Sequence, residues 1–297
     1  VWADVLHDGP APSGLSPDEW RELRAGDEAG ADPRQAEFKA GLRRADEQLA
    51  QHAAFNEVVF WFEHDLFDQL LLIRHLDWIA EHVIDRSRFR LICIGEFPGR
   101  PRFAGLGELS PDELVTLFPK RQPLTDSQIA LGSTLWRAFG SPDPRPFADL
   151  VLRTDTTLLP YVAGGLKRHL EDFPSDVNGL SRTERQILTV VQQGHRGAPA
   201  AFHANAQLEE RVFMGDLTFF DIMRRLTTGR TPLLGHDGEW PRDAPPTGVF
   251  ELTDAGSRVL DGKADYVALN GIDRWMGGAH LTDGRYRWTG TSLIERD

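Results

Sequence analysis

Apolar residues along the first hundred positions switch between two spacings. Glu57–Phe62 (EVVFWF) and Arg90–Ile94 (RLICI) are short β-branched and aromatic runs, long enough for buried strands and too short for helices. Between them, Leu66–Val83 carries apolar residues at 66, 67, 70, 71, 73, 76, 78 and 79, the spacing of a helix that turns one face to a core. Strand, helix, strand in this order predicts a right-handed crossover, and hence a parallel sheet covered on both faces. The apolar stretch Val1–Leu6 is a candidate for another strand of the same sheet.

Polar punctuation places the helices. Ser16-Pro17-Asp18-Glu19 is a helix start: a capping serine, proline at the first helical position, and acids near the positive end of the dipole. Asp32-Pro33 repeats the signal and opens a polar helix to about His52. Further starts fall at Ser110-Pro111-Asp112-Glu113 and Thr125-Asp126, and two more helices, near Phe147–Arg153 and Pro160–Phe173, follow the Pro-rich break Ser141–Pro146. Past a break at Pro174–Gly179, Ser181-Arg182-Thr183-Glu184 is a capping box for a helix to about Gln193. A helix over Leu217–Thr228, an extended pair (Thr231–Leu234 and Gly248–Leu252) and a short helix Asp254–Leu260 complete the pattern, with a strand at Arg285–Trp288. Helix, helix, hairpin is the order of a winged helix-turn-helix, an order other small α+β modules share. The fold class is therefore read as α/β. A parallel-sheet domain over residues 1–109 is followed by a helical segment, 110–178, packed on it, and by a winged-helix-like module over 179–297.

Composition narrows the function classes. With 297 residues, 40% hydrophobic and 26% charged, the chain is globular, which excludes collagen-like and wholly disordered readings. No apolar run approaches the roughly 18 residues of a membrane span. The lone cysteine, Cys93, excludes an internal disulfide and a Cys-based zinc site. Mid-strand among Leu91, Ile92 and Ile94, it reads as a buried, inert thiol. These features, and the absence of a signal-peptide pattern, lead us to expect a cytoplasmic protein. The net charge of −12 is uneven: −10 sits in the first 178 residues and −2 in the rest. An acidic front half repels phosphate backbones, whereas the nearly neutral back half leaves DNA binding open.

Ligands of open parallel sheets bind beyond the carboxyl ends of the strands. The first strand runs into Glu63-His64-Asp65, with Asp68 one turn on; the second runs into Gly95-Glu96; Val1–Leu6, if extended, runs into His7-Asp8 with Asp4 just before. Strands about 4.8 Å apart would gather these side chains around one crevice. Glu63 and Asp65 are then candidate ligands of Mg²⁺ or Mn²⁺, His64 a ligand or general acid, Glu96 a general base and His7 a further catalytic group. Asp4, Asp8 and Asp68 become candidate substrate contacts. The class these residue types suit is metal-assisted hydrolysis or transfer on a phosphorylated or nucleotide-like small molecule. Each also has a structural reading, Asp65 as a helix N-cap and His7-Asp8 as turn formers among them. No Gly-x-Ser-x-Gly elbow, Walker loop or zinc spacing occurs. His195, His203 and His236 fall in or near expected loops. The rival reading is a ligand-responsive DNA-binding regulator that uses Arg224, Arg225 and Arg230; a third is a docking module.

Trp61–Gln69 (WFEHDLFDQ), Leu91–Gly99 (LICIGEFPG), Gly179–Ile187 (GLSRTERQI), Phe213–Asp216 (FMGD) and Leu269–Trp275 (LNGIDRW) resemble an uncharacterised bacterial family, the domain of unknown function numbered eighteen thirty-five, over nearly the whole chain. The resemblance implies no established activity. It does imply an upstream strand ending in an Asn/His-Gly-Asp-Ser turn, so the sheet is expected to lack its first strand and one acidic loop.

Overall fold

The computed structural model describes residues 4–26, 33–241 and 244–296. It is a mixed α/β structure of two compact units: Val1–Lys167 with Trp275–His280, and Arg168–Arg274 with Leu281–Asp297. The Pro174–Gly179 break lies inside the second unit.

In the first unit, α1 (Pro17–Ala25) starts at Ser16 with a complete capping box to Glu19, and α2 covers Pro33–Ala50. Asp32 lies outside the described residues. The predicted strand–helix–strand is present as β1 (Val58–Glu63), α3 (Leu66–His82) and β2 (Phe89–Ile94). The strands pair in parallel, Val58 opposite Phe89 through to Glu63 opposite Ile94. Then follow α4 (Pro111–Leu117), a two-residue strand β3 (Gln122–Pro123) antiparallel to β2, α5 (Asp126–Phe139), α6 (Arg145–Arg153) and α7 (Val162–Leu170).

Alternation sorts the sheet's two faces. Phe60 meets His75 of α3 edge-on and Phe62 meets it at a tilt, ring centroids 5.5 and 5.9 Å away. Val59, Trp61, Ile92 and Ile94 pack instead under Phe103, Leu106, Leu109, Leu114 and Leu117. Both faces are covered, as a parallel pair requires. Helix α3 lies between the sheet and α5, which is why it is apolar nearly all round.

The strand expected over Val1–Leu6 is not formed where it is described. Residues 1–3 lie outside the described residues, and Asp4–Leu6 run without regular structure into a turn. The reason is Arg24. Its guanidinium donates to the carbonyls of Val5, Asp8 and Pro10 and to the carboxylate of Asp4, so this segment folds around an arginine instead of joining a sheet edge.

The second unit opens with the predicted capping box: Ser181 and Glu184 exchange hydrogen bonds of 2.8 and 3.0 Å at the head of α8 (Arg182–Gln192). Next comes α9 (Ala198–Leu208), which places His203 on a helix, not in the loop expected from the sequence. Helix α10 (Asp216–Thr228) precedes an antiparallel pair, β4 (Leu234–His236) with β5 (Phe250–Leu252). The second unit continues with α11 (Asp254–Leu260), α12 (Tyr266–Asn270), and β8 (Tyr286–Trp288) paired with β9 (Leu293–Glu295), while most of β6 (Arg274–Met276) and β7 (Ala279–Leu281) falls in Trp275–His280 of the first unit. Ile187, Leu188, Val191, Phe219, Met223, Leu233 and Phe250 belong to the core of the second unit. Arg168 is buried beside them, held by Glu209 at 2.8 Å, by Asp172 at 2.9 Å and by the Thr183 hydroxyl.

Two stability outcomes follow. A Cβ on Gly132 of α5 would lie 2.4–2.6 Å from Leu76 of α3. Gly132→Leu therefore lowers the unfolding free energy by about 1–3 kcal/mol in a urea titration, against the sign of the roughly 1 kcal/mol an open helical site gains on losing glycine. Glu209→Ala removes one of the two carboxylates on the buried Arg168 guanidinium, leaving Asp172 and the Thr183 hydroxyl, and costs about 1.5–3 kcal/mol in the same assay.

Candidate metal site at the carboxyl end of β1

Glu63 is the last residue of β1, Asp65 the N-cap of α3 and Asp68 a member of its first turn. The strand-to-helix junction thus brings three carboxylates together, with one oxygen of each within 4.8 Å of the others. Backbone amides fix them. The Asp65 carboxylate accepts from Asp68 N at 3.0 Å, Asp68 from Glu63 N at 2.7 Å, and Glu63 from Leu106 N at 2.7 Å. The last contact requires close passage of the chain at Gly105, where a Cβ would lie 2.0 Å from Glu63 Oε2. Gln69, fully buried on α3, donates to the Glu63 carbonyl, and its own Oε1 is buried without a donor.

Crowded acids with little solvent resist ionisation. Burial raises the Glu63 carboxyl above its usual range, against the Leu106 amide, and the Asp68 and Glu108 charges push it further. Burial raises Asp68 as well. Asp65 moves furthest, to about 7, because burial outweighs the Asp68 amide and the neighbouring Asp68 and Glu63 charges add to it. Three converging carboxylates whose ionisation burial opposes are the donor set a hard divalent cation, Mg²⁺ or Mn²⁺, would stabilise, with water or substrate oxygens completing the shell.

The remaining sequence candidates fall elsewhere. His64 is buried with its ring stacked on Phe103 (6.2 Å, 20°) and edge-on to Tyr161 (6.1 Å), and it is not among the clustered donors. Glu96 is exposed in the loop after β2. His7 lies 6.4 Å from the Phe67 ring of α3, and Asp8 is exposed with its carbonyl on Arg24. Asp4 is fully buried in its ion pair with Arg24 and takes no part in the cluster. Cys93 is half-buried, 3.4 Å from the Gln69 amide. In the second unit, Arg224 pairs with Asp221, Arg225 is exposed, and Arg230 donates to the carbonyls of Ala268 and Leu269 at the end of α12. Gln69, Gly105 and Leu106 were not foreseen. Their contribution is a backbone or amide contact, for which residue type gives no signal.

Comparison with family models, with curated proteins and with solved structures finds no match to this chain.

The charge state of Asp65 has a measurable consequence. Its carboxyl titrates near 7 in the fold and near about 4 in the unfolded chain. The folded state therefore holds the extra proton between these values. That contribution to stability is complete below about pH 4 and is lost as pH rises through 7, a change on the order of 4 kcal/mol. Asp65→Asn keeps a good N-cap and deletes the charge. In metal-free buffer the variant should gain on the wild type by about 3 kcal/mol between about pH 4.5 and pH 8, read from urea midpoints at each pH.

Proposed function

We propose that the first unit is a cytoplasmic metal-assisted hydrolase or transferase for a phosphorylated or nucleotide-like substrate, with Glu63, Asp65 and Asp68 holding Mg²⁺ or Mn²⁺. One observation carries this reading: three carboxylates converge within 4.8 Å at the carboxyl end of a parallel strand. A bound divalent cation would offset substrate phosphate charge and lower the pKa of a bound water. The protein's own part is positional. The amides of Asp68, Glu63 and Leu106 orient the acids, and Gln69 fixes the end of β1 through the Glu63 carbonyl. Glu96, two residues beyond Ile94, the β2 partner of Glu63, is the exposed carboxylate this reading assigns as general base. His64, packed between aromatic rings, serves to position the junction. His7, edge-on to the Phe67 ring of α3, keeps the role of a further catalytic group in this reading. Membership of the resembled family belongs to this reading and adds no activity to it.

The second unit supports a winged-helix-like reading through its order, three helices and then an antiparallel pair. DNA is the weaker partner for it. Helix α10 sets Asp216 and Asp221 against Arg224 and Arg225, and Arg230 is occupied by the end of α12. A docking role suits these charges better.

Titration calorimetry with MnCl₂ tests the metal reading. The wild type should take up one ion per chain, and Glu63→Gln and Asp68→Asn should each weaken it at least about tenfold. Indistinguishable weak heats in all three proteins would remove the proposal.

A further inference from the structure

A second concavity in the first unit, about 540 Å³, shares no residue with the acidic cluster. It is lined by Trp20 of α1, by Arg74, Trp78 and Glu81 of α3, and by Trp136 and Arg137 of α5, and its volume is that of a small-molecule site. Trp78 and Trp136 are partly exposed; Trp78 stacks on His82 at 5.0 Å and Trp136 on Phe139 at 5.6 Å, so a ligand meets the part of each ring these partners leave uncovered.

Arg74 is the cavity's cation with only loose ion pairs. Its side chain is 17% exposed, and no hydrogen bond to it is formed among the described residues. Its nearest carboxylate oxygens, Asp4 Oδ2 and Asp46 Oδ1, lie 3.9 and 4.0 Å away, beyond hydrogen-bond reach. Each of these acids is already held by another arginine, Asp4 by Arg24 at 2.8 Å and Asp46 by Arg21 at 2.7 Å. The other acids of the cavity are also engaged: Asp77 by the Ser133 hydroxyl and Arg137, Glu81 by Arg137. Arg74 rests 5.0 Å from the centre of the Trp20 ring, and the buried Trp20 Nε1 likewise has no acceptor. The cavity therefore sets one cation without a close acceptor beside two partly exposed indoles. A ligand acceptor can thus replace water on the Arg74 guanidinium without displacing a close protein partner.

We propose that this cavity binds a small ring-bearing carboxylate, with the carboxylate on the Arg74 guanidinium and the ring against Trp78 and Trp136. The planar guanidinium fork matches a carboxylate in two parallel hydrogen bonds, and the indoles offer stacking faces for a flat ring. A dianionic phosphate fits less well, because its second charge would sit beside Asp4 and Asp46, both about 4 Å from Arg74.

Calorimetry on the intact chain with 2-naphthoate, its neutral amide 2-naphthamide, and 2-naphthyl phosphate tests this. The acid should bind the wild type at least about tenfold more tightly than the amide or the phosphate. Arg74→Gln should abolish that preference, while Trp78→Leu should weaken acid and amide alike. Equal binding of acid and amide, no binding of either, or undiminished naphthoate affinity in Arg74→Gln would overturn the site. Naphthyl phosphate binding as tightly as naphthoate would overturn its assignment to carboxylates. The acid–amide comparison uses the unaltered protein, so it decides the matter even if a variant does not fold.

Discussion

The parallel pairing of β1 with β2 is the constraint on which the first unit depends. Because side chains alternate, the register that directs Phe60 and Phe62 toward α3 sends Val59 and Trp61 to the opposite face. Glu63 follows the same alternation and ends beneath the segment that covers that face, where Leu106 meets it. A slip of one residue would exchange the two sets, sending Phe60 and Phe62 to the face that Phe103 and Leu117 cover and turning Glu63 into the α3 interface. The junction is fixed from the helix side as well. Asp65 must cap α3, and Asp68 lies one turn away, so two of the three acids are placed by helix geometry and the third by the sheet.

The parts of this fold that were legible are those written in local pattern. Strand, helix and strand over 57–94 appear nearly residue for residue, and the helix starts at Ser16, Ser110 and Thr125 and the capping box at Ser181 all form. Elements without such patterns were hidden. β3 is two residues long and includes Pro123, which has no amide to donate. α9 starts at Gly197 with no side-chain cap, and its alanines mark no face. The site divides the same way. Glu63, Asp65 and Asp68 are neighbours in sequence and could be read as a strand end. Leu106 is 43 residues from Glu63, and Arg24 is 20 from Asp4, with no spacing to announce either contact. Strand ends also say little about where a side chain turns next, which is why His64 and Glu96 could be named but not aimed.

Charge is arranged in two opposite ways within one unit. Around Asp4, Asp46 and Asp77, arginines answer each acid, so those carboxylates hold secondary structure together. At Glu63, Asp65 and Asp68 the partners among the described residues are backbone amides, and burial shifts the carboxyls toward their neutral forms. Amides orient an acid without cancelling its charge. Arg74 is the counterpart, a cation whose neighbouring acids have been given to other arginines.

The bare backbone at Gly105 gives the acidic cluster an unusual experimental handle. Adding one methyl group there would collide with the Glu63 carboxylate while leaving every acid in the sequence untouched. Position and charge are usually confounded when a carboxylate is mutated. Here a substitution 42 residues from Glu63 separates them, because it moves the oxygen atoms and keeps their number constant.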